Sequence, residues 1–424
     1  MSNIYHIWMT VVFVVGYILI TIEHKVKINK TAVAIVMAVI CWTLQFFNLG
    51  THSEQDLGGF SDHMFGISQV VFFLLGALAI VETISAHRGF NLISRYIHIL
   101  SKRKLLWLIG FITFFFSSVL DNLTATIIMV TLVRKLVPSG EDRLLMGGAV
   151  VIAANAGGAW TPIGDVTTTM LWIGKQLSTF VIMKELFVPS LLCLVGSLSF
   201  ISIFLKGEFP ANPTDQSEKD EQIEPHGKLI FWLGISLLIC VPIFKIVTGL
   251  PPFMGMLLAL AIMWLFTDIL HERYPEQQHL RLPFTMSKVD IASILFFLGI
   301  LLSITALESA GILLSLATWV NDHVVNAHLI AIVLGLVSAI VDNVPLVAAI
   351  MGMYNLADYP MDSSFWLLVA YCAGTGGSIL VIGSAAGVAF MGMEKVPFFW
   401  YLKRIGIPAL VGYFIGIGYY LLTL

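Results

Sequence analysis

Charge is scarce in this sequence. Lys and Arg together number 23 and Asp and Glu 26, so 12% of the 424 residues carry charge, against about 25% in an ordinary soluble domain. With 58% hydrophobic residues and a mean hydropathy of +0.91, a water-soluble globule is excluded. Cysteine is nearly absent: Cys41, Cys193, Cys240 and Cys372 stand singly in apolar runs, which argues against a disulfide framework or a thiolate metal centre. No stretch of ten residues alternates with period two, which excludes a transmembrane barrel. The net charge of −3 suggests no nucleic-acid partner. No Lys or Arg precedes the first apolar run and no small-residue cleavage site follows it, so it is expected to be a retained helix rather than a signal peptide.

What remains is apolar sequence in lengths that cross a bilayer. Runs of about 20 residues begin near Tyr5, Thr31, Phe65, Leu144, Val181, Leu229, Pro251, Ile291, Phe365 and Phe399, and predict a polytopic all-α membrane protein. One stretch reads as a solvated linker, 206–227, "KGEFPANPTDQSEKDEQIEPHG". It separates a first repeat, 1–205, from a second, 228–424. Aligning Asp121-Asn122 with Asp342-Asn343 brings FLLG (73–76) close to FLG (297–299), Glu82 close to Glu308, and Gly157-Gly158 close to Gly376-Gly377.

The basic residues set the orientation. Lys25, Lys27 and Lys30 mark the first loop as cytoplasmic, whereas 49–64 has only His52 and His63. Arg88, Arg95, Lys102, Arg103 and Lys104 precede "LLWLIGFITFFFSSVLDN", and Arg134, Lys135 and Arg143 follow "LTATIIMVTLV". Two short helices with both outer ends inside make a re-entrant hairpin, its tip at 121–122. Between Lys288 and Lys395 there is no Lys or Arg, so the hairpin with its tip at 342–343 has both feet outside. Five spans plus one hairpin per repeat is an odd number of crossings, and a tandem repeat of that kind is inverted. Both chain termini are then expected outside.

Four breaks in helix are legible at membrane depth: the tips "LDNLT" and "VDNVP", and the interrupted spans "ANAGGAWTPIGDVTTT" (154–169) and "AGTGGSILVIGSAAG" (373–387). Each break frees carbonyls and amides that can replace the hydration shell of a small cation. Asp121, Asp165 and Asp342 lie at breaks, and Glu82 and Glu308 lie inside spans. A buried carboxylate without a basic partner either takes a proton or coordinates a cation, and the two states compete. That competition suffices to exchange a metal cation for protons.

Plainer readings stand beside each residue. Asp342 with Pro345 nearby, Asp121 with Thr124, and Asp165 before "VTTTMLWIG" are sound helix N-caps. Thr167 and Thr168 add oxygens beside Asp165. Glu82 and Glu308 could be hydrogen-bonded interior acids or a proton relay. Asn155, Ser378 and Ser384 offer neutral oxygens, although Ser in membrane helices commonly packs or bonds backbone. His87 and His98 are expected at the cytoplasmic edge, solvated or pH-sensing. Trp8, Trp107, Trp366 and Trp400 fit an aromatic belt.

The segments "SSVLDNLTATIIMVTLVRKL", "VVIAANAGGAWTPIGDVTTTMLWIG", "VDNVPLVAAIMGMY" and "GTGGSILVIGSAAGVAFMGMEK" resemble the signatures of the NhaD-type sodium/proton antiporters of the ion transporter superfamily. The resemblance implies exchange of Na+ or Li+ for H+ in a bacterial inner membrane, with a role in pH homeostasis. It implies a homodimer with a fixed scaffold and a moving transport domain, and no cofactor beyond the transported ions. Carried over, it suggests Asp121, Asn122, Asp342 and Asn343 at the tips, Asn155, Asp165, Thr167 and Thr168 in the first broken helix, and Ser378 and Ser384 in the second.

Dicarboxylate carriers of the superfamily have Ser-Asn-Thr at the tips, where this chain has Asp-Asn-Leu-Thr and Asp-Asn-Val-Pro. An anion carrier is thus the second reading, opposed by the five acids and the missing intramembrane Arg. A third, an intramembrane aspartyl protease using "PIGD", lacks the first glycine of its motif, since Pro162 stands there. For the inverted arrangement, single cysteines at Ser139 and Tyr359 in a Cys-free background should differ. An impermeant thiol reagent on intact cells should label only the second, and labelling of both from one side would refute the inversion.

Overall fold

The computed structural model describes residues 2–21, 28–49, 54–94, 101–209, 224–272, 274–323, 326–340 and 342–424. Lys25, Lys27, His52, Arg95, His98 and residues 210–223 of the expected linker lie outside these. The regular structure among the described residues is helical, with a single isolated bridge between Ser101 and Glu208.

Three long helices come first: α1 (Ser2–Thr21), α2 (Lys30–Leu49) and α3 (Glu54–Ala86). A pair of shorter helices follows, α4 (Lys102–Ser117) and α5 (Asn122–Leu136), then two pieces, α6 (Glu141–Gly158) and α7 (Val166–Ile173), and then α8 (Thr179–Ser202). The order recurs after the linker. It runs through α9 (Gly227–Thr248), α10 (Pro252–His271) and α11 (Ile291–Ser309), the pair α12 (Ala327–Val337) and α13 (Asn343–Met353), the pieces α14 (Ser364–Gly376) and α15 (Ala385–Glu394), and α16 (Ile407–Thr423). All four helix breaks expected from the sequence are present.

Seven segments among the described residues are long and apolar enough to cross a membrane as single helices: Lys30–Asn48, Phe60–Ala86, Thr179–Ser202, Gly227–Thr248, Pro252–His271, Ile291–Ser309 and Phe398–Thr423. Large side chains such as Val247, Phe180 and Phe399 are more than 70% exposed on their flanks. So much exposed hydrocarbon is at home in lipid and costly in water, as expected of an integral membrane protein.

The helices meet through small residues and a few long-range hydrogen bonds. α2 lies along α11, with Thr31 Oγ1 donating to the Ala292 carbonyl (3.0 Å) and Trp42 Nε1 to that of Leu302 (2.9 Å). α3 packs on α10. α8 packs on α16, whose Gly412 and Gly416 let the backbones approach, while Ser197 Oγ donates to the Pro408 carbonyl at 3.0 Å. Trp366 was expected in an aromatic belt, yet it is wholly buried and donates through Nε1 to the Tyr359 carbonyl at 2.8 Å. It sits on an inner helix piece, where sequence gives no sign of depth.

Each helical pair is clamped to a broken helix in the same way. Ser117 Oγ, at the end of α4, donates to the Ala154 carbonyl of α6 at 2.5 Å. Ser338 Oγ, just after α12, donates to the Ala373 carbonyl of α14 at 3.0 Å. Beside these bonds a Cβ on Gly157 would overlap the Phe114 carbonyl, and a Cβ on Gly376 that of Gly335. Gly157→Ala and Gly376→Ala should each destabilise the protein by about 1–3 kcal/mol, as overpacking against fixed backbone does. Gly392→Ala, where nothing lies within 4 Å, should be neutral or stabilising. Apparent melting in detergent, read against the Gly392 variant, checks this, and unchanged melting of both clamp variants would refute the clamp.

Candidate functional site

Four half-helices begin at the breaks, and each carries an oxygen at its N-cap. Asp121 caps α5, its Oδ1 accepting from the Thr124 amide (2.8 Å) and its Oδ2 from Thr124 Oγ1 (2.7 Å). Asp165 caps α7, its Oδ1 accepting from the Thr167 amide and Thr167 Oγ1, both at 2.9 Å. Asp342 caps α13 through the Val344 amide at 3.1 Å. Ser384 caps α15 through the Gly387 amide at 3.2 Å. The capping and site readings of these residues therefore describe the same atoms. A helix N-terminus carries roughly half a positive charge, and a carboxylate there offsets it.

The remaining oxygen of Asp165 is where the halves meet. Asn122 Nδ2 donates to Asp165 Oδ2 at 2.7 Å and to Asn155 Oδ1 at 3.0 Å. Asn343 Nδ2 reaches the same Asp165 oxygen at 3.4 Å. Asn155 Nδ2 in turn donates to Ser378 Oγ and Ser384 Oγ, each at 2.9 Å. Six of the residues expected from the sequence thus form one network drawn from all four breaks, and none of the six is more than 5% exposed. Thr167 joins it by bonding Asp165, and Thr168 holds the local backbone by donating to the Asp165 carbonyl at 2.9 Å.

Other expected residues stand apart. Asp121 and Asp342 are half-buried and lie within electrostatic range of Asp165, but the hydrogen bonds of their carboxylates go to their own helices, and Lys30 also lies within electrostatic range of Asp342. Asp121 lines a cavity of about 70 Å³. Glu308 lines a second cavity, of about 290 Å³, with Asp62, His63 and Gln176. Glu82 lies near Lys288, just before α11 begins, and Glu308 lies at that helix's other end. The structure brings neither glutamate into the network.

His87 is a correction. It was expected at a solvated edge, yet it is wholly buried, its Nδ1 bonded to the Thr83 carbonyl (2.8 Å) and its Nε2 facing His271 Nε2 at 2.9 Å. Burial pulls its pKa down to about 4, with charge at His271, His226 and His279 acting the same way and the Thr83 bond opposing. Burial thus favours the neutral imidazole.

Sequence reasoning missed the supports of the network. Ser117 and Ser338 stand at the same distance before the two Asp-Asn pairs, so the repeat register could have found them. Tyr401 was beyond reach: its hydroxyl donates to the Ser378 carbonyl at 2.9 Å from a distant segment.

Chemically, the network offers one carboxylate, amide oxygens and hydroxyls. Among the described residues no group of three or more His, Cys, Asp or Glu is arranged to hold a metal ion. A donor set of one anion and several neutral oxygens suits a monovalent cation held weakly enough to leave.

Comparison with known proteins agrees with a transporter. A family model described as citrate transporter, CitMHS, matches residues 17–374. The chain is 51% identical to "Sodium/proton antiporter 1" of Arabidopsis thaliana, over 97% of this chain and 72% of that one. It is 50% identical to "Sodium/proton antiporter 2" of the same plant, over 97% and 98%. It is 30% identical to "Na(+)/H(+) antiporter NhaD" of Halomonas elongata, over 90% and 81%.

If Asn155 is the bridge between the halves, its contacts are energetically coupled. Asn155→Ala takes one hydrogen bond from each of Asn122, Ser378 and Ser384, while Asn122 Nδ2 keeps Asp165 Oδ2 and Ser384 Oγ keeps the Gly387 amide, so roughly 1–3 kcal/mol in total is expected. A double-mutant cycle of Asn155→Ala and Ser384→Ala, read as thermal stability, should give a coupling above about 0.5 kcal/mol. Strict additivity would show that the bond is not made.

Proposed function

The chain belongs to the CitMHS family and, within it, to the NhaD-type sodium/proton antiporters, and on that premise we propose that it exchanges Na+, and also Li+, for H+ across the membrane it spans. It is a transporter and not an enzyme. The observation that carries the proposal is the Asp165 carboxylate, buried among amide and hydroxyl groups contributed by both halves.

In the arrangement described, the Asn122 amide nitrogen sits between two oxygens, Asn155 Oδ1 and Asp165 Oδ2. A cation in that place draws on the same oxygens, and Asn122 turns its amide over to add its own. Protonation of Asp165 removes the anion and converts one acceptor into a donor, so the cation is no longer held. Asp121 and Asp342 share the proton bookkeeping, since coupled carboxylates titrate as a group. A citrate or dicarboxylate anion would meet these acids at the tips, where repulsion opposes it.

We further propose two inverted repeats, 1–205 and 228–424, joined by a cytoplasmic linker, 206–227, with both termini outside. The matched clamps at Ser117 and Ser338 support the repeat, and the basic residues flanking only the first hairpin support its inversion. The Halomonas elongata relative supports the bacterial inner membrane of this proposal, although the two plant relatives are more similar to this chain, and the superfamily resemblance supports a homodimer embedded in lipid.

Asp165→Asn keeps size and capping capacity but removes the titratable charge. At normal membrane abundance, dye dequenching on adding NaCl or LiCl to proton-loaded vesicles should fall to background, and Asp121→Asn should behave likewise. Near-normal exchange by Asp165→Asn would remove it from the mechanism. Uptake of labelled succinate or citrate driven by a sodium gradient would instead favour the anion reading.

A further inference from the structure

The cavity at Asp121 has a second carboxylate in its wall. Its lining is mostly hydrocarbon from α3, α9, α10 and α11, including Phe73, Leu238, Met256 and Phe297. The polar exceptions are Asp121, Asn122 and Thr169 from the network side, and Asp290 and Ser293 from the start of α11. At about 70 Å³ the cavity has room for several waters. Asp290 is exposed, whereas Asn122 and Thr169 are buried. The cavity therefore joins an exposed carboxylate at a helix start to the half-buried carboxylate at a hairpin tip.

Asp290 caps α11, its Oδ1 accepting from the Ser293 amide (3.1 Å) and its Oδ2 from Ser293 Oγ (2.5 Å). Capping needs an oxygen and no charge, and Asn would serve as well. What the charge adds is a field. In a narrow opening with apolar walls, one carboxylate concentrates cations and disfavours anions. Lys288, two residues earlier, is also exposed, and Glu82 lies close to it, so both stand near this mouth.

We propose that Asp290 is the access residue of the path between one face of the membrane and Asp121, gathering cations and protons from that face for the site. The proposal rests on the antiport reading for its physiological use, but not for its electrostatics. Asp290 touches no transported ion at the site, so it is a positioning residue.

Asp290→Asn preserves the cap. In vesicles with the α11 start facing the added NaCl, it should raise the apparent KM for Na+ about threefold at low ionic strength, the effect of one unit charge a few ångströms away in a watery mouth. Maximal rate should hold, added choline chloride should erase the difference by screening, and Asp290→Glu should restore the wild-type value. Vesicles of opposite orientation should show no change. A merely structural cap would move none of these sided, salt-dependent readouts.

A second measurement is independent of exchange. With a cysteine in place of Leu123, which lines the same cavity, the ratio of reaction rates with cationic and anionic methanethiosulfonate reagents should fall about tenfold on Asp290→Asn, because the two probes shift in opposite directions. If the wild type moves no protons on adding Na+ while the ratio falls, the antiport reading fails and Asp290 remains the charge at this mouth. An unchanged ratio overturns the proposal whatever the exchange assay gives, and so does an unchanged KM in a wild type that exchanges.

Discussion

A helix that stops inside a membrane leaves amides and carbonyls that hydrocarbon cannot satisfy, and the rest of this structure follows from how those groups find partners. The carbonyl of Ala154 takes Ser117, and that of Ala373 takes Ser338. The freed amides at the starts of α5, α7, α13 and α15 take Asp121, Asp165, Asp342 and Ser384. Glycine at 157 and 376 lets the backbones come close enough for this to happen. Broken helices and clamping hairpins are one device, because neither is tolerable in hydrocarbon without the other.

The same device fixes the electrostatics. Each half-helix N-terminus turns a partial positive charge toward its cap, and the half-helix that ends at the same break turns a partial negative one. The N-terminal ends favour an anion on Asp121, Asp165 and Asp342, and Asp165 is the one that both halves touch, through Asn122 and Asn343. On the antiport reading, cation and proton compete for that charge. The device also explains why the acids sit at helix starts: the N-terminal dipoles help sustain ionised groups that bare hydrocarbon would force to protonate.

Much of this is legible in the sequence. Glycine, proline and Asp-Asn pairs interrupt apolar runs, and interruptions in hydrocarbon have few physical meanings. Which oxygen faces which amide was not legible. Asp121 and Asp165 are both Asp followed by Thr at short range, yet both Asp121 oxygens bond Thr124, whereas Asp165 leaves one oxygen for two asparagines. That difference depends on where the hairpin tip docks, a tertiary fact. His87 failed for the same reason, since its partner His271 lies 184 residues away and a histidine after an apolar run reads locally as an interface residue. Asp290 does not stand out in the sequence, because an acid before an apolar run is an ordinary cap, and only the shared cavity connects it with Asp121.

The two halves share a plan but not their chemistry. Where the first broken helix has Asn155 two residues before its Gly157-Gly158 pair, the second has Gly374 before Gly376-Gly377. Where the first has Asp165 after Gly164, the second has Ser384 after Gly383, at the same cap position. A fully symmetric arrangement would place a fourth carboxylate at position 384. Serine keeps the cap and gives up the charge, while its hydroxyl accepts from Asn155. The first half thus supplies the anion of the broken-helix pair and the second supplies neutral oxygens. The departure from symmetry at these two positions leaves the broken-helix pair with one carboxylate, which both halves contact.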